Sequence, residues 1–341
     1  MSADEPLLAI ERLSLSYLVG GAALRGLKDV CLTLGRGRIL GVVGESGSGK
    51  STLSFAIPRL LPKNARIEEG SIRFAGIDLA GMSEKTLETI RGASIAMVFQ
   101  DPLSSLHPCM TIGQQMSDAQ RAHRRISARE RRARAVEMLR LVGLADAEQN
   151  LDRFPHQFSG GMRQRVMIAT SLLLQPDLLI ADEPTSALDV VLQGQIIALL
   201  TGFRERLGTA ILIVSHDLGV VGDAADDILV MYAGEVMEYS GAGEIIHHPL
   251  HPYTQALLRV MPSRRARGRP LPTIPGRVPN AHEPIVGCAF AGRCEMTRSV
   301  CHAKRPDLSS VGARKVRCHI HNPDSGWHDA LEIPVPAGLT A

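Results

Sequence analysis

The run Arg38-Ile39-Leu40-Gly41-Val42-Val43-Gly44-Glu45-Ser46-Gly47-Ser48-Gly49-Lys50-Ser51 constrains this chain more than any other segment. An apolar stretch that reads as a buried strand feeds directly into a glycine-rich turn, and a helix opens near Lys50. Gly44, Gly47 and Gly49 lack a Cβ, so the backbone can wrap closely round an anion with its N–H groups turned inward. The positive end of the helix dipole strengthens that field. Lys50 is then placed to bridge terminal phosphates, and the Ser51 hydroxyl to hold a magnesium ion. Glu45, Ser46, Ser48 and Thr52 complete the lining of a nucleotide site. Tyr17 ends an alternating apolar run (Leu13, Leu15) and either stacks on the nucleobase or simply closes its strand.

Further along, Pro176 and Asp177 precede Leu178-Leu179-Ile180-Ala181, the pattern of a strand buried on both faces, and Asp182 and Glu183 stand at its carboxyl end. Side chains alternate across a strand, so the two carboxylates take different jobs. Asp182 is expected on the hydrated magnesium and Glu183 on the attacking water as general base. The apolar run Ala210 to Val214 leads to Ser215-His216-Asp217. His216, past a third parallel strand, lies where ligands gather in open α/β sheets, and is expected to reach the γ-phosphate. Gln100, after Ile95-Ala96-Met97-Val98-Phe99, would offer its amide oxygen to the same magnesium.

In this order, the phosphate cradle, the glycine-rich helix start Phe158-Ser159-Gly160-Gly161-Met162, the carboxylate strand and His216 resemble the nucleotide-binding subunit of an ABC transporter. Ser159-Gly160-Gly161 is similar to the family signature Leu-Ser-Gly-Gly-Gln, with Phe158 in place of leucine and Met162 in place of glutamine. The resemblance implies that the signature caps the γ-phosphate held by a partner chain, with Asp189 at the dimer seam, so that hydrolysis needs two ATPase chains facing head to tail. Gln100-Asp101-Pro102-Leu103-Ser104-Ser105-Leu106-His107-Pro108, the segment Phe154 to Arg165, and His251-Pro252-Tyr253-Thr254-Gln255-Ala256-Leu257-Leu258 look like the oligopeptide, dipeptide and nickel importer branch. The similarity runs from about Leu8 to His321. It implies ATP and Mg2+ as ligands and a P-loop NTPase fold of the α/β class. That fold would comprise a RecA-like core, an antiparallel β subdomain, an inserted helical subdomain at about 101–175 and a small C-terminal extension. It also implies a second homologous ATPase subunit or a self-dimer, two transmembrane permease subunits and, indirectly, an external solute-binding protein. The expected place is the cytoplasmic face of the inner membrane, and the tail favours peptides over nickel.

Composition agrees with a folded ATPase. The 341 residues carry a net charge of +3, with apolar content near half and few aromatics. No apolar run approaches the ~20 residues of a membrane helix, and the start Met1 to Pro6 lacks a basic or apolar leader. Arginines crowd the segment Arg121 to Arg140, but aromatics for base stacking are absent there, so a solvated helix face is expected and not a nucleic-acid site. Rival ATPases fit less well. A DNA-repair type would carry a long coiled coil, and a translation-associated type two sets of motifs in one chain. Pro262 to Gly276 has the composition of a linker, which sets expected domains at 1–262 and 263–341.

Four of the six cysteines, Cys288, Cys294, Cys301 and Cys318, fall in the tail with five, six and sixteen residues between them. A reducing cytoplasm disfavours disulfides, and the common Cys-x-x-Cys zinc knuckle is missing. Four soft thiolates suit an iron–sulfur cluster or zinc, and buried free thiols remain a third reading. The family resemblance adds weight to a [4Fe-4S] cluster, with His302, His319 and His321 as substitute ligands. A structural staple for a small, core-poor tail is its plainer role.

Overall fold

The computed structural model describes residues 5–186, 188–261 and 273–328. By their contacts these residues divide into two compact units.

One unit comprises residues 5–8, 34–39 and 74–215. Its centre is three parallel strands, Ile95–Val98, Leu178–Asp182 and Ala210–Ser215, with Leu178–Asp182 in the middle. Leu178 to Ala181 are all fully buried, which is why these four residues are all apolar instead of alternating. The register pairs Val98 with Ala181 and Asp182 with Val214, so Gln100, Asp182 and Glu183 follow the carboxyl ends of neighbouring strands. Between the first two strands run the helices Ile112–His123, Ala128–Leu141 and Gly160–Leu172, packed on one another through residues such as Met116, Leu139 and Ile168. Each begins where a hydroxyl is available to accept an orphan N–H: Thr111, Ser127 and Ser159. Several arginines of this region are occupied locally. Arg132 pairs with Asp152, Arg134 with Glu130 and Arg140 with Glu148, while Arg131 donates to Ser117 and to the Ile126 carbonyl.

The other unit comprises residues 9–33, 40–73 and 216–328. Leu8–Val19 and Ala22–Leu34 meet at Gly20-Gly21, both at positive φ (59° and 84°), the backbone that a two-residue hairpin requires. Ala65–Phe74 lies on the other side of Leu8–Val19. Ile39–Val43, buried along its whole length, runs parallel to Asp227–Tyr232. Glu235–Gly241 then folds back antiparallel. Arg314–Val316 and Ser309–Val311 extend the same sheet. The linker expected at Pro262 lies largely outside the described residues, and beyond it the chain returns to this unit.

That return is anchored by charge. Glu238 is fully buried and receives Arg314 at 3.0 Å. Glu235, 1% exposed, receives Arg305 at 3.0 Å, and Arg317 spans Asp29 at 3.1 Å and the Val236 carbonyl at 3.0 Å. Two carboxylates on a central strand are thus neutralised by arginines from the tail.

Candidate nucleotide site

The glycine turn has the shape its composition predicts. Gly44 adopts φ 155° and Gly49 φ 100°. A Cβ on Gly44 would fall 2.2 Å from the Met231 carbonyl oxygen, so no larger residue fits without moving that strand. Ser46 and Gly47 are exposed at the crest, while Lys50 is 5% exposed beneath them. Its ammonium donates to the carbonyls of Gly44 at 2.8 Å and Glu45 at 2.9 Å, so cation and loop are drawn together from inside. The helix Lys50–Ala56 starts at Gly49 with neither a capping side chain nor an acidic residue in its first turn. Its first turn therefore carries no side chain that offsets the helix's positive end, which suits a polyphosphate. Ser51 is exposed at this helix start. Thr52 accepts a hydrogen bond from the half-buried Tyr17 hydroxyl at 3.1 Å, which ties the expected base-stacking residue to the cradle helix.

Sequence reasoning missed what holds this loop from behind. The Glu45 N–H donates to the Tyr253 hydroxyl at 2.9 Å. The Glu45 carboxylate is forked by Arg293 at 2.7 and 3.0 Å. Tyr232, Tyr253 and Phe290 meet in edge-on or tilted pairs with centroids 4.7 to 5.4 Å apart, and Arg293 lies over two of those rings. Burial and the loss of water push the Tyr253 hydroxyl far above its usual range, so it stays protonated. The motif His251-Pro252-Tyr253 was visible in the sequence, but its target lies 208 residues away.

In the other unit, the Gln100 side-chain amide donates to Glu183 Oε2 at 3.1 Å, which leaves the amide oxygen as the end to offer a cation. Glu183 has φ 46°, and its own N–H is bound by the Val214 carbonyl at 2.9 Å. Asp182 is 3% exposed at the strand end. Ser159 caps the helix Gly160–Leu172, its Oγ accepting from Met162 N–H at 3.4 Å. Ser159 and Gly160 are exposed, and nothing lies within 4 Å of a Cβ placed on Gly160. Asp189 caps the helix Val190–Leu207 by accepting from Val191 and Leu192 N–H groups at 3.1 and 3.0 Å. Leu192 in turn borders Gly161. His216, which belongs to the unit of the phosphate turn, is exposed. The structure thus brings Gln100 to Glu183 in one unit and Tyr17 to the phosphate turn in the other.

In the tail the expectation is met only in part. Cys288, Cys294, Cys301 and Cys318 do converge on one small, apolar-walled cavity, with His251, Phe290 and Trp327 beside them. Yet among the described residues no three or more His, Cys, Asp or Glu side chains are grouped to hold a metal ion, so neither iron–sulfur nor zinc is supported. Burial pushes the Cys294 thiol up to about 11 and the Cys318 thiol up to about 12, which keeps both neutral near pH 7. Trp327, the chain's single tryptophan, carries the Arg298 guanidinium 3.9 Å over its ring.

A buried strand, a glycine turn pulled in by a lysine, and a helix with an open positive end define a P-loop nucleotide-binding protein of the α/β class. Comparison with known families places residues 27–186 in the ABC transporter family. It places residues 237–301 in the family described as "Oligopeptide/dipeptide transporter, C-terminal region". The chain is 46% identical over 308 residues to a "Probable peptide ABC transporter ATP-binding protein" of Sinorhizobium fredii, covering 89% of this chain and 92% of the relative. It is 42% identical over 321 residues to the "Dipeptide transport ATP-binding protein" of Escherichia coli strain K12, covering 94% and 98%. Among solved structures, a dimeric ATP-binding cassette in a post-hydrolysis state with ADP and Pi aligns with TM-score 0.62 and 30% identity, over 69% of this chain and 98% of that one. The chain belongs to the ABC transporter family and is one of its ATPases. Among the described residues no helix is long and apolar enough to cross a membrane.

Proposed function

We propose that this chain hydrolyses ATP to energise the import of di- and oligopeptides, at the cytoplasmic face of the inner membrane. It would work with a second ATPase subunit or a second copy of itself, with two membrane-spanning permeases, and with an external solute-binding protein that delivers the peptide. The observation that carries the substrate class is the peptide-transporter match over 237–301, which includes the His251-Pro252-Tyr253 segment bound to the phosphate loop.

Within this reading, Lys50 and the turn Gly44 to Gly49 hold the phosphates, and Tyr17 meets the base. Ser51, Gln100 and Asp182 supply oxygen ligands for Mg2+. Glu183 is the general base, and its contact with Gln100 at 3.1 Å fixes where its carboxylate points. His216 attends the γ-phosphate. Ser159, Gly160 and Gly161 address the nucleotide of the partner chain, with Asp189 at the seam. The unobstructed surface at Gly160 supports that assignment.

The test is a transporter reassembled in vesicles from this chain and its permease, ATPase and receptor partners. Peptide-dependent stimulation of ATP hydrolysis, with peptide accumulating inside, is the expected outcome. Stimulation by nickel and not by peptide would overturn the substrate class. For the tail, the absorption spectrum and metal content of an anaerobic preparation decide between a [4Fe-4S] cluster, zinc and free thiols, and a colourless sample free of iron that retains its thiols would end the cluster reading.

A further inference from the structure

We propose that Arg293 and Tyr253 are positioning residues for nucleotide binding, bracing Glu45 from outside the phosphate loop so that ATP affinity depends on the cysteine-bearing tail. The inference deepens the ATP site and rests on that reading.

Glu45 is an acidic residue inside a loop built to receive a triphosphate. An unopposed carboxylate there would repel the ligand. Arg293 removes the problem by taking both carboxylate oxygens, a paired geometry that fixes direction as well as charge. The guanidinium has no room to drift. Its Nε donates to the Pro275 carbonyl at 2.8 Å, and its two terminal nitrogens also reach the Tyr232 hydroxyl at 3.2 Å and the Ile274 carbonyl at 3.1 Å. Arg293 itself is 6% exposed.

Tyr253 holds the same residue by its backbone. With the Glu45 N–H committed to a phenol and its side chain committed to a guanidinium, the peptide unit has one orientation. Lys50 draws on the Gly44 and Glu45 carbonyls, so a shift at Glu45 would carry the phosphate-binding ammonium with it. Arg293 ends the short turn Ala291–Arg293, which lies between Cys288 and Cys294. The Cys288 carbonyl accepts from Ala291 N–H at 3.0 Å, and Cys294 N–H donates to the Ala291 carbonyl at 3.4 Å. Both cysteines line the tail cavity, so the packing of that cavity sets the reach of Arg293.

The experiment measures equilibrium ATP binding and steady-state hydrolysis on the full-length chain, with thermal melts to establish folding. R293M is expected to weaken ATP binding by about tenfold or more, raising KM while leaving kcat at saturating ATP near wild type. The double variant R293M/E45Q is expected to recover most of that loss, because the carboxylate needing neutralisation is gone. Y253F, which removes a single oxygen, is expected to weaken binding several-fold. A folded R293M binding ATP within about twofold of wild type, or a double variant no tighter than R293M, overturns the brace. Should R293M not fold, Y253F decides, and wild-type affinity in it overturns the proposal. K50A separates the failures. Unchanged affinity in K50A overturns the cradle reading and the brace with it, whereas a weakened K50A beside unaffected R293M and Y253F overturns the brace alone.

Discussion

Glu183 sits in a backbone region, φ 46°, that side chains with a Cβ seldom adopt, and its N–H is tied to Val214. A residue held in that conformation at the end of a buried strand has its carboxylate aimed by the fold. Glu183→Gln preserves shape and the Gln100 contact while removing the proposed base. ATP binding should stay within experimental error, and turnover should fall by about a hundredfold or more, measured by phosphate release. Turnover at the wild-type rate would take the base role away from Glu183. Lys50→Ala acts on the opposite property. It removes the cation that gathers the loop, so ATP affinity itself should drop, readable by calorimetry. Both proposed roles are read from the sequence, because strand, turn and carboxylate are contiguous in it. The Gln100–Glu183 contact is not, since it depends on the register of two strands more than 80 residues apart.

At the scale of elements, the helix Pro252–Val260 shows how a motif can be read without its meaning. His251 caps it, Nδ1 accepting from Tyr253 N–H at 2.9 Å, with Pro252 at the first helical position, where it is best tolerated. The N–H groups of Leu250 and His251 donate to the buried carboxylate of Glu238 at 2.8 and 2.9 Å. Burial, then the nearby His321, lowers the His251 pKa to about 3, so the imidazole is neutral in the fold. In the unfolded chain it would titrate at about 6.5. The folded state therefore binds fewer protons below that pH, and stability falls as pH drops from about 6.5 towards 3. His251→Asn should keep the cap and flatten this pH dependence in thermal melts. His251→Ala should cost about 1 kcal/mol through the lost cap, together with some ATP affinity through Tyr253. An unaltered pH dependence in the asparagine variant would remove His251 as its source. The sequence displayed the histidine, proline and tyrosine side by side. It could not display Glu238 or Glu45, which are brought to them only by tertiary folding.

For the molecule as a whole, composition and connectivity say different things about the tail. Proline, glycine and arginine after Met261 read as a linker. Yet Ser309–Val311 and Arg314–Val316 complete a sheet that begins at Ile39, and Arg305, Arg314 and Arg317 neutralise Glu235 and Glu238 within it. Ending the chain at residue 262 would strip Glu235 of Arg305 and Arg317, leave Glu238 with only the Leu250 and His251 N–H groups, and uncover a strand edge. Such a fragment should be poorly soluble or melt far below the full chain, and E235Q/E238Q within it should restore part of the loss. A fragment as stable as the full chain would show that these arginines are dispensable. Charge pairing between segments so distant in sequence leaves no local pattern to read.

One aromatic ring offers a way to watch this tail at work. Because tryptophan occurs once, at position 327 beside the thiols, all indole light from the protein originates in that corner. Emission that changes colour when nucleotide is added would report, with no dye attached, that the far end of the chain feels the fuel.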